Sequence, residues 1–302
     1  MKLSVNQPIY RRRQFGIIGM FLIWLVGSSS ATAMNSFVSQ VSGEGHPIIL
    51  IPGLMSNGTV WDEISQQLSK SSQVHVISIA GFAGTPAIKN QSLASVKTDL
   101  INYIEKHQLN KPVVIGHSLG GFMALWLASS HPETIGNVIS VDGLPFIGPI
   151  FTRSNSSTVE SLASQADMIQ GMYHKMSQQQ LAAQTKQGIY IQATSAENQA
   201  RIIQMAAQSD PVTVGNAIHE LLSTDIRKNM ATINSKSLLI GASGAFTTKQ
   251  QHQSVKSLYH EQISNAANVE LIMNTNDRHF IMLDNPNWLI SQIQSFLSEN
   301  NQ

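Results

Sequence analysis

The sequence predicts an α/β fold: a mostly parallel central sheet with helices on both faces, plus an inserted helical cap. Three observations carry that expectation. Unbroken apolar runs of strand length alternate with helically spaced apolar residues from His46 to Pro145, the order that builds a parallel sheet wrapped by crossover helices. The alternation stops over 146–236, where Leu162, Met172, Leu181, Met205 and Leu221 stand among Gln, Ser and Ala; that composition is helical, and the stretch is too long for a loop in a compact domain. Strand signal then resumes at Ser237. The expected organisation is a leader over 1–33, a core in two parts over 34–145 and 237–302, and the cap over 146–236.

Each element has its own signal. The run 46–51 is a buried strand that ends on Pro52-Gly53, a backbone able to come close to a ligand. Trp61, Ile64 and Leu68 recur at helical spacing, and 74–79 is a second strand leading into the turn-rich stretch 80–86. Leu93, Val96, Leu100, Ile101 and Ile104 mark an amphipathic helix with Ser92 as its N-cap. Val113-Val114-Ile115 is a strand, the helix through Phe122, Leu125, Trp126 and Ala128 ends at His131-Pro132, and the strand 137–141 closes on Asp142-Gly143-Leu144-Pro145. Strands over 237–240 and 269–273 complete the sheet, with a helix through Val255, Leu258 and Tyr259 between them and a last helix opening near Asp284-Asn285-Pro286. The methionines of the cap read as core filling, with an adaptable apolar pocket as the alternative.

The most informative stretch is Gly116-His117-Ser118-Leu119-Gly120-Gly121. It joins an apolar strand to a helix, the context of a Gly-x-Ser-x-Gly nucleophile elbow. So sharp a turn needs side-chain-free neighbours two residues before and two after the serine, and Gly116 and Gly120 stand there. The turn lifts the Ser118 hydroxyl to a helix N-terminus, where backbone N–H groups favour a developing negative charge.

Composition removes several function classes. A net charge of +1, with charged residues at 12%, argues against a nucleic-acid surface, which needs clustered Lys and Arg. The absence of cysteine excludes disulfides, thiolate metal sites and a cysteine nucleophile. His219-Glu220 opens like a zinc-protease motif, but Ser223 stands where the second histidine would be. No metal and no cofactor is implied. At the N-terminus, Lys2 and Arg11-Arg12-Arg13 precede an apolar stretch over 15–26 and the small-residue end Ala31-Thr32-Ala33. That reads as a signal peptide cut before Met34, hence an exported protein, periplasmic or secreted, with no stable membrane insertion after cleavage. An uncleaved inner-membrane anchor is the alternative. Arg12-Arg13-Gln14-Phe15 also resembles a twin-arginine export signal.

From about residue 46 onward the chain resembles the α/β-hydrolase family. The elbow is similar to that family's most specific motif. Ile51-Pro52-Gly53-Leu54 resembles its oxyanion loop, where most members have His-Gly, and Gly81-Phe82-Ala83-Gly84 stands where many carry a Gly-Phe-Gly turn. Asp225-Ile226-Arg227 is familiar at the cap exit, and Asp277-Arg278-His279-Phe280-Ile281 with Asp284-Asn285-Pro286 resembles the histidine loop and closing helix.

The resemblance implies a serine nucleophile, Ser118, and a general base, His279, which comes last in the chain as in the family. It implies oxyanion donors from the backbone of Leu119 and Leu54. The acid departs from the usual pattern, because Gly241-Ala242-Ser243-Gly244-Ala245-Phe246 holds no carboxylate. Some members carry the acid one strand earlier, which makes Asp142 the first candidate; its alternative role is to cap its own Asp-Gly turn. Asp277 is the second candidate. The expected activity is hydrolysis of a small-molecule carboxylic ester, or an amide, through an acyl-enzyme. Alternatives are a slow-turnover or non-catalytic ligand sensor on the same fold, a carbon–carbon hydrolase, and an aminopeptidase using cap carboxylates from among Glu160, Asp167, Glu197, Asp210, Glu220 and Asp225. Oligomeric state is not legible.

Overall fold

The computed structural model describes residues 36–300 and Met1; the leader expected over 1–33 otherwise lies outside the described residues. Seven strands form one sheet: β1 (Phe37–Ser42), β2 (His46–Ile51), β3 (Ser72–Ile79), β4 (Val113–His117), β5 (Val138–Val141), β6 (Ser237–Ala242) and β7 (Val269–Asn274), in the spatial order β1-β3-β2-β4-β5-β6-β7. Only β1 is antiparallel, against β3; the other five pairings are parallel. The expected six strands are all present. β1 escapes the pattern because it is an edge strand with Phe37 buried but Val38 and Val41 exposed, so no clean alternation announces it.

Parallel strands covered on both faces read as continuous apolar runs, and β2, β4 and β5 are buried almost throughout. One face carries α2 (Leu93–Lys106), α3 (Leu119–Ser130) and α10 (Lys249–Gln262), whose Leu100, Phe122 and Tyr259 join a single apolar cluster. The other carries α1 (Asp62–Leu68), α11 (Ile281–Asp284) and α12 (Pro286–Asn300), with Trp61, Ile64, Leu289 and Ile293 fully buried. Ser92 caps α2 as expected, in a reciprocal box with Ser95. α3 is buried nearly all round because a short 3₁₀ turn over Arg227–Thr232 covers it.

Between β5 and β6 lie α4 (Gly148–Thr152), α5 (Val159–Tyr173), α6 (Gln178–Gln187), α7 (Ile189–Gln192), α8 (Ala196–Ala207) and α9 (Pro211–Ser223). Thr158, Ser177, Ser195 and Asp210 cap the four longer helices by accepting a backbone N–H. This cap leaves and rejoins the sheet at one point, where the Ile226 N–H donates to the Pro145 carbonyl at 3.2 Å. Arg227 pairs there with Asp225 at 2.6 Å and donates to the carbonyls of Asn155 and Ser157. The methionines divide: Met205 and Met230 fill the core, while Met168 and Met172 are exposed. No helix among the described residues is long and apolar enough to cross a membrane.

The order β3-β2-β4 makes a switch point. The chain leaves β2 for β3 on one side and returns to β4 on the other. In open α/β sheets the crevice at such a point, outside the carboxyl ends of the strands, is where ligands bind. Gly53 and Ser118 follow the ends of those two strands.

Candidate active site

Ser118 sits between β4 and α3 with φ 55° and ψ −116°, a conformation non-glycine residues avoid and one that concentrates at functional sites. Its N–H is tied to the Val141 carbonyl at 2.9 Å. A Cβ at Gly116 would overlap the Gly120 carbonyl, and one at Gly120 would overlap the Ile51 carbonyl. The elbow therefore closes only with glycine at both places. Among the described residues the Ser118 hydroxyl has no hydrogen-bond partner.

His279 lies in the loop after β7, and Asp142 at the tip of β5, where its φ of 54° is again left-handed. The two meet: His279 Nδ1 is 2.5 Å from Asp142 Oδ2. A carboxylate only accepts, so Nδ1 carries the proton and Nε2 of the neutral ring presents a lone pair. Asp277, the other candidate acid, does not reach the ring. Its carboxylate accepts from Asn274 Nδ2 at 2.7 Å and helps fold the loop that bears His279.

His279 does not hydrogen-bond to the Ser118 hydroxyl, but it is held beside the elbow. The ring of His117, the residue before Ser118, lies 4.5 Å from the His279 ring, centroid to centroid, and its Nε2 donates to the His279 carbonyl at 3.0 Å. Phe280 packs on His117 from the same loop, also at 4.5 Å. Burial holds the His117 imidazole well below its ordinary pKa. His117 is therefore a neutral donor.

Two backbone donors flank Ser118. Leu119 opens α3, so its N–H is one of the helix's unpaired N-terminal donors. Leu54 lies in the turn closed by the Ser56 N–H on the Gly53 carbonyl at 3.1 Å, with Met55 left-handed at φ 56°. That turn touches the elbow directly: a Cβ on Gly53 would stand 2.8 Å from His117 Nδ1 and 3.2 Å from Ser118 Cβ. Among the described residues neither the Leu54 nor the Leu119 amide is otherwise engaged. No group of three or more His, Asp or Glu converges as a metal site among the described residues.

An elbow serine at a topological switch point, beside a histidine that comes last in the chain, is the arrangement of one fold family. Residues 46–286 match the profile of the family described as alpha/beta hydrolase fold. The chain belongs to this family. Two curated relatives are the pimeloyl-[acyl-carrier protein] methyl ester esterases of Vibrio cholerae serotype O1, 30% identical over 106 residues (35% of this chain, 40% of that one), and of Aliivibrio fischeri, 28% identical over 111 residues (37% and 42%). The chain thus matches about two fifths of the length of these relatives. Similar solved structures include a thermophilic esterase from Thermogutta terrifontis, with TM-score 0.72, 15% identity and coverage of 88% of this chain and 94% of that one. A hydrolase from Pseudomonas aeruginosa PA01 gives TM-score 0.71, 17% identity and coverage of 86% and 94%. At such identities the structures speak for the fold.

The cap is fastened to the loop that bears His279. The His279 N–H donates to the Ile191 carbonyl of α7 at 3.2 Å, the Phe280 N–H to Gln192 at 2.8 Å, and Arg278 Nη1 to Ala193 at 2.8 Å. Asp284 accepts both the N–H and the hydroxyl of Thr194 at 2.9 Å. Sequence reasoning assigned no role to His117, although it lies within the motif, and none to Thr194 or Asp284 as a clasp. Their partners are far away along the chain, and no local spacing signals them.

Proposed function

We propose that this hydrolase cleaves a carboxylic ester, with an amide as the lesser substrate, through a serine acyl-enzyme. The observation that carries the reading is the His279–Asp142 hydrogen bond beside the strained elbow. In this reading His279 Nε2 takes the Ser118 proton as Oγ bonds to the substrate carbonyl carbon. The oxyanion is met by the Leu54 and Leu119 amides, each such donor being worth about 10²–10³ in rate. Collapse breaks the bond to the alkoxy group, which leaves with the proton from His279. Water then attacks the acyl-enzyme by the same route in reverse, releasing the acid and restoring Ser118. The missing Ser118–His279 hydrogen bond is compatible with this, because such bonds are often long in free enzymes and tighten with substrate.

The esterase names of the partial relatives and of one structural neighbour support the ester class. No observation favours an amine-binding aminopeptidase site. Asp167 pairs with His219, Asp225 with Arg227, Asp210 caps α9 and Glu220 accepts the Ala94 N–H, so these cap carboxylates already have partners. Signal cleavage and export of the mature chain from Met34 belong to the same proposal and rest on the N-terminal sequence alone. The test is labelling with a fluorophosphonate, together with an ester panel. Wild type is expected to be modified at Ser118 and to turn over uncharged short esters, with Ser118→Ala inert in both assays. An unlabelled wild-type serine would leave the sensor reading in its place.

A further inference from the structure

Asp142 stands one strand away from the turn where the family's acid is usual, and that turn is not idle. The Ala242 N–H, at the end of β6, donates to Asp142 Oδ1 at 2.6 Å. A second donor comes from the helix beyond it: Tyr259 Oη of α10 reaches the same Oδ1 at 2.7 Å. Among the described residues His279 alone uses Oδ2. Tyr259 is only 5% exposed. Its ring passes over β6 at Gly241, where a Cβ would come within 2.9 Å of Tyr259 Cδ1. Burial first, and then the adjacent Asp142 carboxylate, push the phenol well above its ordinary pKa, so it remains an O–H donor at any working pH.

We infer that Tyr259 is a positioning residue of the acid. With the Ala242 amide it saturates Oδ1, fixes the carboxylate plane and turns Oδ2 onto His279 Nδ1. Asp142 needs such a hold. It sits on a left-handed residue at a strand tip, and a carboxylate free to rotate about χ2 would offer the imidazole a varying acceptor. Loss of orientation in a catalytic group costs rate far more than it costs binding. The inference rests on the serine-hydrolase reading, with Asp142 as its acid.

Tyr259→Phe keeps the ring and removes the hydroxyl. The expected result is a fall in kcat of roughly 10–100-fold with KM within about twofold, slower fluorophosphonate labelling of Ser118, and a shift of the downfield His279 Nδ1 proton in NMR spectra. In an Asp142→Asn background the same substitution is expected to cost little more, since Tyr259 acts through the carboxylate. A wild-type serine that does not react would sink the hydrolase reading itself. A reactive wild type with Tyr259→Phe kinetics unchanged, or an undiminished loss in the Asp142→Asn background, would overturn the role of Tyr259 alone. Should Tyr259→Phe not fold, the wild-type chain decides. Modifying Ser118 changes His279, and the Tyr259 hydroxyl proton is expected to move with it; an unmoved resonance would overturn the inference.

Discussion

His117 donates from Nε2 to the carbonyl oxygen of His279 at 3.0 Å, so the residue before the candidate nucleophile holds the loop of the candidate base. The bond requires a proton on Nε2, and burial keeps the ring neutral in that tautomer. The unfolded chain takes up a proton on this imidazole near 6.5, and the folded chain only well below that value. Stability is therefore complete above about pH 6.5 and falls as pH drops, by up to about 1.4 kcal/mol per pH unit from this group. His75 is shifted in the same direction, chiefly by burial, and adds to the slope. His117→Phe is expected to lose about 1–3 kcal/mol at neutral pH, because the part-buried His279 carbonyl loses its donor, and to flatten the acid slope by its own share. Urea unfolding between about pH 5 and 7.5 measures both; an unchanged slope would mean that the ring is already charged in the fold.

The two candidate acids make opposite predictions. Asp142 meets His279, and Asp277 meets Asn274. Asp142→Asn is expected to lower kcat by roughly 10²–10⁴, since an amide in that place selects the wrong tautomer of the ring. Asp277→Asn is expected to leave kcat within about threefold and to cost about 1 kcal/mol of stability through its loop hydrogen bond. Steady-state kinetics on an activated ester, beside thermal melts, separate them. A reversed ranking would move the acid to Asp277.

How much of this was legible in the sequence depends on how local the constraint is. The elbow was legible because its requirement is steric and short-range: the Cβ of one residue meets the backbone four residues on, so Gly116 and Gly120 announce it. β2, β4, β5 and β6 were legible because burial on both faces favours continuous apolar runs. The partner of His279 was open between Asp142 and Asp277, because chain distance says little about which carboxylate arrives. The parallel register of β5 on β6, with Val141 opposite Ile240, sets Asp142 beside Ala242. Tyr259 was legible only as a helix residue, since the carboxylate it serves lies 117 positions away.

Gly53 offers a way to disturb the proposed oxyanion donors without substituting Ser118 or His279. An added methyl would stand 2.8 Å from His117 Nδ1 and 3.2 Å from Ser118 Cβ, both on a strand-turn that cannot retreat. The loop must give instead, carrying the Leu54 amide with it. Gly53→Ala is expected to lower kcat by roughly 10²–10³, the usual cost of one oxyanion donor, while folding is retained. Circular dichroism and kcat on one preparation check it. Full activity would place the second donor elsewhere in the loop.

The clasp between the cap and the histidine loop predicts that a residue outside the proposed triad governs turnover. Asp284 accepts from Thr194 through both N–H and hydroxyl, and Asn198 Nδ2 donates to the neighbouring Leu283 carbonyl at 2.8 Å. These bonds dock the chain after α7 against α11, beside the main-chain bonds from His279 and Phe280 to α7. Asp284→Ala removes the acceptor and leaves the Thr194 amide to water. The segment then swings with one anchor fewer, and the His279 backbone, bonded to Ile191, swings with it. A loss of about 1–3 kcal/mol is expected, together with a fall in kcat of roughly 10-fold from misplacement of the base. Thr194→Val deletes only the hydroxyl and keeps the N–H bond, so its effect should be smaller on both counts. Melting temperature and kcat for the pair of variants test the coupling. Stability lost with kcat untouched would show that the cap rests on the histidine loop without steering it.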